Sequence, residues 1–372
     1  DLIRRRWLDN DFYGSLFNFI YEKSSSKVIL GGTLNKYLGD HFGEVIWARN
    51  AGNSEIRHRY YDNYGNKEEF NLFAKFQHTF NENLYAFVDL QNRNINYDAE
   101  LIGGNNINKS FNFFNPKAGL YYKLNSNNEF YFSFARAHRE PTRTDYENGN
   151  PFPEMLDDFE LGWKYKGKKS IYNINLYFMD YNDQLVLTGE RDDVGYYIRA
   201  NVGESYRAGI EFDGIFFIDD YFTIKPNITF SSNKNSDYLT QFDGSLRNFG
   251  KTDISFSPNL IFGNSVEYNL NSNTLLFFNT KYVGKQYMSN TNVESSVLAS
   301  YLVNDLGLNY NFSIPGFSKD SEFKLLVNNL LNQKYESYGG HYFYDIDNKT
   351  YSGSYFYPMA EINFLLGLDV NF

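Results

Sequence analysis

The stretch Tyr357-Pro-Met-Ala-Glu-Ile-Asn-Phe-Leu-Leu-Gly-Leu-Asp-Val-Asn-Phe372 closes the chain. From Ile362 onward every even position is apolar (Ile362, Phe364, Leu366, Leu368, Val370, Phe372), while Asn363, Gly367, Asp369 and Asn371 are polar or small and only Leu365 breaks the pattern. A period of two places these two sets on opposite faces of an extended strand. A tilted strand of about 9 to 11 residues crosses a bilayer, so this segment is long enough to do so. Phe364, Leu366, Leu368, Val370 and Phe372 then form a lipid-facing row on which assembly depends.

The same alternation recurs upstream. Its apolar members include Phe70, Leu72, Ala74 and Phe76; Leu84, Ala86, Val88 and Leu90; Phe130, Phe132 and Phe134; Phe159, Leu161 and Trp163; Ile210 and Phe212; Leu276 and Phe278; and Leu302, Leu306 and Leu308. Polar partners such as Asn71, Lys75, Glu160, Asn173 and Asp305 lie between them. The template predicts about 15 strands. A net charge of -10 and a mean hydropathy of -0.54 would suit a water-soluble protein, but window averages cancel when lipid-facing and lumen-facing residues alternate. The 33 Tyr and 36 Phe suit strands and interfacial aromatic girdles. The absence of Cys excludes disulfides and thiolate metal sites. The acidic balance argues against a nucleic-acid partner.

Connection lengths carry further information. Short Asn-, Ser-, Gly- or Asp-rich turns are expected at 23–26, 81–83, 125–128, 167–169, 219–220 and 271–273, with a slightly longer one at 313–320. Longer polar loops alternate with them at 50–56, 98–110, 141–153, 189–195, 236–250, 290–298 and 332–356. Tight turns on one side and long loops on the other mark an outer-membrane barrel with the long loops outside the cell. On that parity the last strand runs inward and leaves Phe372 at the periplasmic rim. The first strand is expected over about Asp11 to Glu22, with Asp1 to Asn10 in an extracellular loop, and short strands are expected near 28–34 and 45–49. An odd strand count cannot close an even-stranded bacterial barrel. Residues 1–372 are therefore expected to be a single barrel portion, a C-terminal piece lacking its first strands.

Two motifs point to a family. Phe134-Ala-Arg-Ala-His-Arg-Glu-Pro-Thr-Arg-Thr-Asp145, followed by Asn150-Pro-Phe-Pro-Glu-Met-Leu156 and Phe159-Glu-Leu-Gly162, resembles TonB-dependent outer-membrane receptors. Val327-Asn-Asn-Leu-Leu-Asn-Gln-Lys-Tyr335 is similar to the family's penultimate strand, and the terminal Phe372 fits. The resemblance implies an all-β, antiparallel transmembrane barrel of 22 strands, of which residues 1–372 would be the C-terminal two-thirds, whose lumen is plugged, with an N-terminal plug outside this chain that engages TonB. It implies an active importer of a scarce nutrient such as a ferric siderophore, haem or cobalamin. Outer-membrane lipid, lipopolysaccharide and a surface lipoprotein are the further partners it allows. The alternatives are a passive porin-like channel and a structural or adhesive barrel.

No nucleophile elbow, phosphate loop or metal-ligand spacing is present, so no enzyme, cofactor or resident metal is expected. Candidate ligand contacts are His138, Arg139 and Arg143 around the first motif, and Tyr338, His341 and Tyr342 in the last long loop. Imidazole is a haem ligand in this reading. Tyrosines offer stacking area with a polar tip, and guanidinium groups offer bidentate anion binding. Each has a plainer reading as a solvated or packing loop residue. Arg4, Arg5 and Arg6 could attract lipopolysaccharide phosphates, and Asp345, Asp347 and Asn348 read as a turn.

Overall fold

The computed structural model describes residues 1–50, 52–101, 106–191 and 197–371, with the backbone alone for 189–191. Fifteen strands follow chain order along the hydrogen-bonded path of one large sheet. They are β1 (Leu2–Lys23), β2 (Ser26–Ala48), β3 (His58–Asn81), β4 (Leu84–Glu100), β5 (Asn106–Lys123), β6 (Asn128–Arg139), β7 (Glu154–Lys166) and β8 (Ser170–Asn182). The others are β9 (Ser205–Phe217), β10 (Phe222–Asn235), β11 (Leu260–Asn271), β12 (Thr274–Val283), β13 (Tyr301–Ile314), β14 (Ser318–Asn328) and β15 (Asn363–Asn371). The chain divides into two compact units, residues 1–120 with 134–157, and residues 121–133 with 158–372.

In the first unit β1 to β4 pair antiparallel in sequence, with registers such as Asn10↔Gly39, Gly31↔Phe73 and Phe76↔Val88. In the second, β8 to β15 do the same, through Arg207↔Met179, Ile210↔Phe230, Leu276↔Leu308 and Leu325↔Leu366. The registers keep the apolar parities in phase from strand to strand, which a one-residue slip would destroy. The outward apolar row is solvent-accessible: Leu16 is 76% exposed, Phe364 70%, Leu366 64% and Leu368 62%. So continuous an apolar surface cannot face water without aggregating, and hydrocarbon is the solvent that suits it. Phe372, the last member of the row, lies outside the described residues.

The inner face is not uniformly polar. Phe73, Tyr177 and Phe277 stand directly opposite Gly31, Gly209 and Gly307, and each ring lies over the bare glycine, where an added Cβ would meet it at 2.5, 2.6 and 2.0 Å. A glycine in a strand leaves a gap that a cross-strand aromatic fills.

Seven tight connections alternate with seven longer ones. The tight ones share a local cause. Asn81, Asn125, Asp219 and Asn271 each accept the backbone N–H two residues on, at 2.8 to 2.9 Å, the Asx turn that makes these residues efficient at reversing a chain.

Three expectations need correction. The chain does not enter its first strand at Asp11: β1 is paired from Leu2, with Arg4, Arg5 and Arg6 opposite Val45, Glu44 and Gly43. The segments 28–34 and 45–49 are not separate strands, because β2 runs unbroken from Ser26 to Ala48. Lipid-face hydropathy reports only the bilayer-crossing part of a strand, and here the ladder continues past it. Finally, Tyr357 belongs to a loop hairpin, Lys349–Pro358, and β15 begins at Asn363. Pro358 cannot donate to a ladder, and the Ile362 N–H is taken by Asn332 Oδ1 at 2.9 Å.

Replacing Leu366 by Arg places a charge on the lipid face at a cost of about 2 to 4 kcal/mol near the bilayer midplane. The heat-modifiable folded band in outer-membrane fractions is expected to fall strongly, whereas Gly367→Ala, on the opposite parity of β15, should leave it unchanged.

Candidate functional site

Among the described residues, buried apolar side chains collect mainly in the long connections and in the parts of the strands that lead into them. In the first unit Ala99, Leu101, Ile107 and Tyr146 form one small core, with Tyr97 against it. Tyr146 sits on a single-turn helix, Arg143–Glu147, whose start is fixed by a capping box between Thr142 and Asp145. Its hydroxyl is buried without a hydrogen-bond partner. Burial, followed by the neighbouring Tyr97 and Asp145, pushes its pKa up to about 12, so it stays protonated.

Beside this core, charges are matched. Glu140 receives Arg93 at 2.8 and 2.9 Å and Lys67 at 2.5 Å, and Arg93 also grips Glu69 at 2.7 and 2.9 Å. Arg136 holds Asp157 through two bonds of 2.7 and 2.6 Å. Arg139 pairs with Glu154 at 3.0 Å, so two residues of the first sequence motif clamp the base of the loop that they flank. Arg143 bonds Glu147 at 2.9 Å and the Glu100 carbonyl at 2.7 Å. His138 bonds Asn115 Oδ1 at 2.8 Å and stacks on Phe113 at 4.9 Å and 7°. These three candidates are thus engaged in holding the loop, with Arg139 the most open.

In the second unit four long connections interlock. They carry the hairpins Leu185–Arg191/Tyr197–Asn201, Leu239–Phe242/Ser245–Asn248 and Glu336–Ile346/Lys349–Pro358, and a 3-10 turn at Glu294–Ser296. Val186, Val202, Tyr238 and Ile254, from two of the connections, share a core. Asn290 ties three together: its amide donates to the Leu187 carbonyl at 2.7 Å, and its oxygen accepts the Ser255 N–H at 2.9 Å and the Asn235 amide at 3.3 Å. Asp243–Gly244 and Asp347–Asn348, all at positive φ, make tight hairpin tips. The tips clasp, with the Asp243 N–H on Thr350 Oγ1 at 2.6 Å and the Thr350 N–H on Asp243 Oδ1 at 2.8 Å.

The three candidates of the last loop have different fates here. Tyr338 stacks on Phe256 at 5.4 Å and on Tyr357 at 6.1 Å, with Tyr197 edge-on at 5.9 Å. Tyr342 is exposed. His341 is fully buried, its Nδ1 2.8 Å from Ser354 Oγ. The Ser354 hydroxyl donates its only proton to the Ser295 carbonyl, so it must accept from His341. The imidazole is therefore protonated at Nδ1, and Nε2 is a buried acceptor without a partner. Burial lowers its pKa below the ordinary 6.5. His341 is no surface ligand while the hairpin is docked.

Sequence reasoning missed Phe256, Asn290 and Thr350. Phe256 adopts φ 52°, a left-handed conformation that costs a bulky residue about 1 to 3 kcal/mol. It is held there by its N–H on the Tyr287 carbonyl at 2.8 Å and by Tyr338. Nothing in a one-dimensional pattern distinguishes such a residue from an ordinary loop aromatic.

Residues 4–330 match the family described as TonB dependent receptor-like, beta-barrel. No sequence match to a curated protein was found. The fold is similar to the siderophore receptor PiuA from Acinetobacter baumannii, with TM-score 0.73, 14% identity, and coverage of 98% of this chain and 56% of that one. It is similar to the unliganded ferric citrate transporter FecA, with TM-score 0.73, 16% identity, and coverage of 99% and 55%. The copper transporter OprC gives TM-score 0.75 and 12% identity over 99% and 57%. The chain thus spans about half the length of these structures.

Because the folded-state pKa of His341 is depressed, its contribution to hairpin docking is complete above pH 6.5 and is lost as pH falls through the lowered value. Hydrogen-exchange protection in residues 336–358, referred to the intrinsic exchange rate at each pH, is expected to fall on going from pH 7.5 to 5. His341→Gln, which cannot charge, should abolish that loss of protection; its persistence would rule His341 out as the cause.

Proposed function

The chain belongs to the TonB-dependent receptor-like β-barrel family of the outer membrane, and we propose that it is the barrel part of an active importer that captures a metal chelate at its long loops. The observation that carries this reading is the family match, joined to the alternation of tight turns with longer connections, several of which pack internally. A passive pore has no need of loops that build their own cores and clasp one another. The relatives by fold are receptors and transporters for a siderophore, ferric citrate and copper, which favours chelated metal as cargo. Energy would come through TonB and a plug domain, with lipid and lipopolysaccharide around the barrel and a surface lipoprotein as a further partner.

In this reading Tyr338 and Tyr342 supply the contact surface of the last loop, and Arg139 and Arg143, paired with Glu154 and Glu147, hold the loop of the first motif in shape. His138 and His341 act from behind. Metal ligation by His341, in haem or otherwise, would require the hairpin to lift and expose Nε2.

Energised uptake of labelled ferric chelates by intact cells tests the proposal. Loss of TonB, or collapse of the proton-motive force, should abolish uptake. Uptake that continues unchanged would establish the passive channel instead. Tyr338→Ala with Tyr342→Ala should weaken chelate binding by about 2- to 10-fold per stacked ring, the equivalent of about 0.5 to 1.5 kcal/mol. Equilibrium binding to the purified receptor measures this.

A further inference from the structure

The inner wall of the second unit contains a recess of about 290 Å³, lined in part by Glu160, Tyr177, Arg207, Glu211, Asn233 and Phe256. Its floor is sheet. Glu211 lies opposite Asn175 on β8 and Thr229 on β10, and Arg207 lies opposite Met179 and Asn233. Its roof is the segment 255–258, which is pinned at every residue. Ser255 N–H and Oγ bond Asn290 and the Leu187 carbonyl, Phe256 N–H bonds the Tyr287 carbonyl, and the Pro258 carbonyl accepts Ser231 Oγ. Ser257 Oγ spends its proton on the Ser255 carbonyl and accepts Arg207 Nη1 at 2.9 Å. A pinned roof marks a preformed recess rather than a gap in a loose loop.

Several charges of the inner parity neutralise one another: Arg93 and Lys67 with Glu69 and Glu140 in the first unit, and Lys225 with Glu267 in the second. Among the described residues Arg207 has no ion pair, and Glu160 and Glu211 have neither an ion pair nor a hydrogen bond. On the same parity of β7 as Glu160, Asp158 Oδ1 is buried without a partner. Arg207 and Glu211 lie four residues apart on one face, a Cα separation of about 13 Å. Both line the recess together with Glu160 and with Tyr177, which stands opposite Gly209 between them, so one guanidinium and two carboxylates border a single cavity.

Resting on the import reading above, we propose that this recess is a subsite for a zwitterionic end group of the imported chelate. Arg207 takes the carboxylate through its unused N–H donors, and Glu211 and Glu160 take the ammonium. The Phe256 and Tyr177 rings wall the apolar stem. The volume is below the usual range for a whole drug-sized ligand, so the recess receives an amino-acid-sized terminus and not the metal centre.

The test uses the purified full-length receptor and three linear ferric hydroxamates: one ending in an amino-acid group, one with its ammonium acetylated, and one with its carboxylate converted to an amide. The zwitterion should bind at least about 10-fold more tightly than either capped form, as expected for loss of one charge-assisted contact. Arg207→Gln should erase discrimination against the amide alone, and Glu211→Gln with Glu160→Gln discrimination against the acetylated form alone. Equal binding of all three by the unaltered receptor, a comparison that needs no variant, overturns the subsite while energised uptake leaves the import reading standing. If energised cells take up none of the three or any other ferric chelate, the import reading falls and takes this inference with it.

Discussion

Hydrocarbon offers no hydrogen bonds, so every backbone donor and acceptor that crosses it must be satisfied by the chain itself. The antiparallel ladders from β1 to β4 and from β8 to β15 are this chain's answer. Once the backbone is paired, side chains are free to serve two solvents at once, and the period of two follows. It sends leucine and phenylalanine to lipid and leaves asparagine, charge and glycine-seated aromatics on the inner wall. Such a sheet has no conventional core between its faces. The apolar burial that would normally drive folding is displaced into the long connections and the strand ends beside them, around Tyr146 in one unit and around Val186, Tyr238 and Ile254 in the other.

The loops are consequently built as small folded bodies. Side-chain amides do much of the work that a ladder does elsewhere: Asn290 satisfies a backbone carbonyl and a backbone N–H on two different connections. Electrostatic pairing does the rest in the first unit. A solvent-exposed ion pair contributes about 0 to 1 kcal/mol, but Glu140 is mostly buried and collects Arg93 and Lys67 together. Removing one partner from a pair of this kind leaves uncompensated charge, which costs more than the pair itself contributes. Arg207, Glu160 and Glu211 have no such pairing and border one recess together, which leaves them to an external partner.

The outer loops also show why a residue type does not reveal a role. His341 and Tyr342 are adjacent, yet a strand's alternation buries one completely and exposes the other. Arg139 looks like a free cation in one dimension, but its partner Glu154 arrives from across the loop.

The sequence by itself determined the strand periodicity, the alternation of tight and long connections, the family motifs and hence the antiparallel membrane fold. These are local properties, set by side-chain parity and turn chemistry within a few residues, and they survive without knowledge of what lies alongside. It understated strand length, in β1 and β2, because hydropathy marks where lipid is and the ladder extends further. Only the tertiary structure decided that Tyr357 turns back into a hairpin, that His341 is buried with a bare Nε2, that Phe256 is held at positive φ, and that Arg207 and Glu211 face one recess. Those outcomes depend on register and on contacts between connections far apart in sequence, and no periodicity encodes them.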